Sequence, residues 1–61
     1  MKELDVVKLI KKFNGLKAGT EGTIVSDYNG NYFEVEFVDS NNDTIDIFTT
    51  PAELLEIVKD I

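Results

Sequence analysis

Leu16-Lys17-Ala18-Gly19-Thr20-Glu21-Gly22-Thr23-Ile24-Val25 places two glycines three positions apart and runs straight on into β-branched residues. Gly19 supplies the conformational freedom of a tight turn, and Thr23, Ile24 and Val25 suit a pleated, half-buried surface. The stretch therefore predicts a turn feeding a strand over Thr20 to Tyr28. Gly22 falls inside that strand, where a missing side chain marks a close approach by a neighbour.

Downstream, Asn29-Gly30 is a strong hairpin signal, because both residues tolerate the positive φ of a type I′ turn. A two-residue turn sets Tyr28 opposite Asn31, Ile24 opposite Val35, and Gly22 opposite the ring of Phe37. A three-residue turn sets Ile24 against Glu36 instead, so sidedness favours the shorter one. The next strand, Tyr32 to Val38, alternates cleanly, with Phe33, Val35 and Phe37 inward and Tyr32, Glu34 and Glu36 outward. Past a polar loop, Asp39 to Asp43, a fourth strand runs from Thr44 to about Thr49. Its expected register puts Ile45 opposite Phe37 and Ile47 opposite Val35, completing a meander.

Upstream, Asp5-Val6-Val7-Lys8-Leu9 reads as a first strand with Val7 and Leu9 inward and Lys8 outward. Lys11 to Gly15 is a polar loop that carries Phe13, and its Asn14-Gly15 pair favours positive φ. At the other end, Thr50-Pro51-Ala52-Glu53 has the form of a capping box, with Thr50 as cap and Pro51 at the first helical position. The segment beyond admits two readings. Leu54, Leu55, Val58 and Ile61 would share a helical face, whereas Leu55 and Ile57 would point inward from a closing strand; one helical turn followed by a short strand is preferred.

The 61 residues allow one domain, 1–61, whose core must be compact. Cysteine is absent, so packing rather than disulfides or thiolate metal sites must hold the fold, as suits a reducing cytoplasm. Apolar runs are too short for a membrane span or a signal peptide. Twelve acidic residues against six lysines and no arginine give a net charge of -6. That charge repels phosphate backbones and points to a basic protein partner rather than nucleic acid.

Three segments together carry a resemblance: the opening Leu4-Asp5-Val6-Val7, the central 16–25, and Tyr32-Phe33-Glu34-Val35-Glu36-Phe37-Val38-Asp39, joined by the closing Pro51-Ala52-Glu53-Leu54-Leu55. The chain resembles a family of small uncharacterised bacterial domains of unknown function with an SH3-like barrel, and its glycine turn is similar to that of KOW modules. The resemblance implies an all-β fold, a small five-stranded SH3-like barrel with a short helical turn before the last strand. It also implies a stand-alone bacterial protein, sometimes encoded beside toxin-like neighbours, hence an immunity or antitoxin role. The chain departs from the KOW pattern in lacking the basic residues expected for RNA or DNA contact.

Catalysis has little to draw on. Histidine and cysteine are absent, and neither Ser26 nor Ser40 has a base beside it in the pattern, so no enzyme is expected. The loop Asp39-Ser40-Asn41-Asn42-Asp43 matches the first, third and fifth ligand positions of a calcium loop. It then places Thr44 where glycine is needed and Thr50 where a bidentate glutamate is needed, which leaves a polar hairpin loop. Gly15, Gly19 and Gly22 fit neither phosphate-binding spacing, so no metal or cofactor is expected.

The outward face of the meander offers more. The expected registers align Val25, Glu34 and Phe48 in one row and Thr23, Glu36 and Asp46 in the next, setting two like charges side by side without benefit to folding. An acidic-aromatic surface of Tyr32, Glu34, Glu36, Asp46 and Phe48 is therefore the candidate site for a basic protein partner. The bland counterpart is a solvated acidic face that keeps a small protein soluble. A rim formed by Phe13 and Tyr28 is a second candidate. Two other functions stay open: a KOW-like nucleic-acid-associated module, and an accessory domain of a larger complex.

Overall fold

Tyr32–Val38 is the strand in which pattern and structure agree residue for residue. It is β3 of a computed structural model that describes residues 1–59. Phe33, Val35 and Phe37 are buried, and the intervening side chains face away from the core. Around it lie β1 (Val6–Leu9), β2 (Glu21–Tyr28), β4 (Thr44–Pro51) and β5 (Leu55–Lys59). All neighbours pair antiparallel in one open sheet of order β4-β3-β2-β1-β5. One face of that sheet carries the core of Val7, Leu9, Ile24, Phe33, Val35, Phe37 and Leu55.

Within the opening segment, Gly19 has φ 92° and donates its N–H to Leu9 O at 2.7 Å, turning the chain into β2 as expected. Gly22 faces Phe37, and a Cβ built on it would lie 2.7 Å from Val35 Cγ1, 2.8 Å from Glu36 O and 3.1 Å from Phe37 Cδ1. The vacancy is real, and it is filled by Val35 and the β3 backbone as much as by Phe37.

The β2–β3 turn corrects the two-residue expectation. Tyr28 pairs with Tyr32, so Asn29, Gly30 and Asn31 all lie outside the ladder. Asn29 and Gly30 do take positive φ, 63° and 76°, as that dipeptide requires. Ile24 nevertheless pairs with Val35, because the register shifts between Ile24 and Ser26 and leaves Val25 as a bulge. The extra turn residue and the bulge offset each other, which keeps the apolar face continuous.

The register of β4 also departs from expectation. Phe48, not Ile47, pairs with Val35, and Asp46, not Ile45, pairs with Phe37; the shift back occurs at Ile45. Ile45 and Ile47 are left about half exposed, while Phe48 packs against the core and Thr50 is fully buried opposite Phe33. The reason lies in the aromatic cluster: Phe48 meets Phe37 at 6.3 Å and Phe13 at 6.2 Å between ring centroids. From the outermost strand, a phenyl ring reaches the core where an isoleucine would not, and aromatic rings bury the larger area.

Because β4 continues to Pro51, Thr50 is a strand residue and not a helix cap. Its hydroxyl donates to Phe48 O at 3.1 Å, and the turn that follows has no side-chain cap. That turn, Ala52–Leu54, is 3₁₀ and leads into β5 with Leu55 buried, so the preferred reading of a short turn followed by a strand holds. Ile57 pairs with Val7 but remains largely exposed at the sheet edge. Ile61, part of the alternative helical face, lies outside the described residues. Phe13 and Leu16 bond backbone to backbone around Asn14 (φ 50°) and Gly15 (φ 82°), a two-residue turn inside the β1–β2 connection.

Candidate functional site

Alternation in β3 sends Tyr32, Glu34 and Glu36 to the face opposite the core, and the observed registers decide their neighbours. Glu36 lies between Thr23 of β2 and Ile47 of β4; Glu34 lies between Ser26 and Thr49; Tyr32 lies between Tyr28 and Pro51. Both glutamates are half-buried by these flanking strands. Thr49 Oγ1 donates to Glu34 Oε1 at 2.7 Å, and Thr44 Oγ1 donates to Glu36 Oε2. Each carboxylate is thus oriented by a hydroxyl through one of its oxygens.

Neither glutamate is in an ion pair among the described residues. Among the described residues the ion pairs are Lys2–Asp5 at 2.9 Å and Lys8–Glu56 at 3.4 Å, both away from the β3–β4 side of the sheet. Beside the glutamates stand Ile47, 47% exposed, and the tyrosine pair Tyr28 and Tyr32, 48% and 50% exposed. Carboxylates with adjoining aromatic and aliphatic area make a surface suited to a cationic, partly apolar partner.

Of the five residues expected there, the structure brings Tyr32, Glu34 and Glu36 together and removes two. Phe48 turns inward onto the core. Asp46 shares the side of Phe37, and its Oδ1 accepts the N–H of Ile47 at 2.8 Å. The expected Glu36–Asp46 like-charge contact is replaced by hydroxyl–carboxylate pairs. Thr44, Ile47 and Thr49 take the vacated places, and they became visible only once the β4 register was known.

The second candidate rim also changes. Phe13 packs edge-on against Phe48, while Tyr28 sits across from Tyr32 on the outer face. Asp39 Oδ1 accepts from the N–H groups of Asn41 (2.8 Å) and Asp43 (3.0 Å), closing its own hairpin loop. Between that loop and the Lys17–Thr20 turn lies an open groove of about 590 Å³ floored by Val38 and Ile45. Ser26, read as lacking a nearby base, is the cross-strand neighbour of Glu34.

One buried acid escaped the sequence reading. Asp5, 1% exposed, accepts from the main-chain N–H of Lys2 at 3.0 Å and from its Nζ at 2.9 Å. A lone aspartate before a short strand carries no pattern that distinguishes it from a surface residue.

No helix among the described residues is long and apolar enough to cross a membrane. Comparison with curated proteins and with solved structures gives no match. The family models do: residues 3–57 match the domain of unknown function DUF4926, and the chain belongs to that family.

Proposed function

We propose that this protein is a non-catalytic protein-binding module that docks a basic partner on the outer face of β2–β3–β4. The observation that carries this reading is the pair Glu34 and Glu36, held by Thr49 and Thr44, in no ion pair among the described residues and bordered by exposed Tyr28, Tyr32 and Ile47. An acidic patch steers a cationic partner and accelerates encounter, and the aromatic border supplies area for close contact.

The same proposal extends to architecture and setting. The two edge strands, β4 and β5, are consecutive in the chain and joined by a three-residue 3₁₀ turn pinned by Ile10 N–H to Leu54 O and Ala52 N–H to Asn31 O, each 2.9 Å. That connection, with the core on one face, supports closure into an SH3-like barrel. The resemblance noted in the sequence, with a cysteine-free acidic composition, supports a bacterial cytoplasmic protein of immunity type that neutralises a basic toxin.

Affinity capture from the native cell, run in parallel with the wild type and with Glu34→Lys/Glu36→Lys, tests the binding face. A basic protein retained by the wild type, with salt-steep association, and lost by the variant is the expected result. Equal retention by both proteins overturns the assignment of this face. A shifted oligonucleotide at low salt would instead favour the KOW-like alternative.

A further inference from the structure

The chain contains two Asn-Gly pairs, Asn14-Gly15 and Asn29-Gly30, and both asparagines sit in left-handed turns with exposed side chains. Asn-Gly is the dipeptide in which the following backbone nitrogen, unshielded by any side chain, most readily attacks the asparagine amide carbon. The two sites are alike in sequence and φ, yet the structure treats their nucleophiles differently. Gly30 N–H donates to Asp27 Oδ1 at 2.7 Å. No acceptor within the described residues takes the N–H of Gly15.

We infer that Asn14 is a site of spontaneous conversion to isoaspartate and aspartate, and that Asp27 guards Asn29 against the same reaction. The step begins when a solvent base removes the Gly15 N–H proton. The nitrogen attacks Asn14 Cγ, a new C–N bond closes a five-membered imide, the Cγ–Nδ2 bond breaks, and the nitrogen leaves as ammonia after taking a proton from water. Water then adds to either imide carbonyl and reopens the ring, giving aspartate or isoaspartate. The net change is one water consumed and one ammonia released, with no redox partner.

A carboxylate bonded to Gly30 N–H opposes deprotonation of that nitrogen, since the anion would form against a negative charge. Local stability adds to the contrast. The Asn14 turn is closed by an isolated bridge, two backbone bonds between Phe13 and Leu16 at 2.9 and 2.8 Å. The Asn29 turn caps the long β2–β3 ladder. Short, isolated pairings open at lower free energy than the ends of extended ladders. Opening is what allows the asparagine to reach the attack geometry.

The product has a structural consequence. Isoaspartate inserts an extra methylene into the backbone of a two-residue turn, which displaces Phe13 from its edge-on seat against Phe48. The β1–β2 connection would therefore loosen as the molecule ages.

The test is incubation of the full chain at mildly alkaline pH, trypsin digestion, and mass spectrometry with fragmentation to locate each converted residue. Peptide 13–17 carries Asn14 and peptide 18–59 carries Asn29. Conversion at Asn14 is expected to run roughly five-fold faster, the factor implied by one hydrogen bond to an exposed carboxylate. In Asp27→Ala, the Asn29 rate should rise toward that of Asn14. Equal rates in the wild type, faster conversion at Asn29, or an unchanged Asn29 rate in Asp27→Ala would overturn the inference. Circular dichroism of Asp27→Ala, an exposed position, verifies that the rate change is not unfolding.

Discussion

Phe13 meets Phe48 edge-on, with ring centroids 6.2 Å apart and planes inclined at 88°. Through this contact the β1–β2 connection closes over the core from above while the outermost strand closes it from the side. Phe48→Ala should destabilise the protein by about 2–4 kcal/mol, as removal of a largely buried phenyl does. A surface phenylalanine would change stability by no more than about 0.5 kcal/mol. Urea unfolding separates the two, and a double-mutant cycle with Phe13→Ala should return a coupling of about 0.5–1.5 kcal/mol.

Gly22→Ala should destabilise by about 1–3 kcal/mol, the range for overpacking a tight core. The added methyl meets Val35 Cγ1 and the Glu36 carbonyl oxygen, so Val35→Ala should relieve only the first clash. The double variant is therefore expected to be more stable than the sum of the single losses, yet less stable than Val35→Ala alone. Strict additivity in thermal unfolding would show that the two positions do not interact.

Asp46 occupies the Ile47 N–H on the outer edge of β4, and Pro51 on the same strand has no N–H to offer. Both features hinder strand-to-strand pairing with a second molecule. Asp46→Ala should raise concentration-dependent self-association while changing folding stability by no more than about 0.5 kcal/mol. Sedimentation velocity that gives identical distributions for wild type and variant would refute the blocking role.

Asp5→Ala removes the buried acceptor of two Lys2 donors and is expected to destabilise by about 1–3 kcal/mol. Lys8→Ala, which breaks the exposed pair with Glu56, should shift stability by less than about 1 kcal/mol. Chemical unfolding of the two variants side by side gives the comparison.

Thr44→Val and Thr49→Val together strip the hydroxyls that orient Glu36 and Glu34 without altering net charge. The double variant should keep its salt-dependent association rate and dissociate faster from a captured basic partner. An unchanged dissociation rate in surface plasmon resonance would show that orientation of the carboxylates is irrelevant.

What the sequence disclosed follows from how strongly each strand is constrained. β3 is flanked on both sides and buried on one face, so its alternation determines its facing without ambiguity, and Tyr32, Glu34 and Glu36 were assignable from it. β4 is an edge strand: Thr-Ile-Asp-Ile-Phe-Thr-Thr alternates equally well with the isoleucines or with Phe48 and Thr50 inward. The choice depends on Phe13, distant in sequence, completing an aromatic cluster. Asp46 and Phe48 were misplaced for that reason, and Thr44 and Thr49 stayed invisible with them. Thr50 illustrates the same limit, since a threonine before proline has capping chemistry and strand propensity at once, and only the length of β4 decides between them.

The bulge at Val25 has a consequence for the composition of this surface. Upstream of it, even-numbered residues of β2 face the core; downstream, Ser26 and Tyr28 face the outer side and complete the row with Glu34 and Tyr32. The composition of that half of the face is therefore set by the backbone bulge as much as by the identity of its residues. Taking Val25 into a regular ladder, with the turn reduced to Asn29-Gly30, would keep Ile24 opposite Val35 but pair Val25 with Glu34, Ser26 with Phe33, Asp27 with Tyr32 and Tyr28 with Asn31. That one-residue slip would exchange the outward chemistry of the β2 tip, delivering Asp27 to the outer face and withdrawing Tyr28.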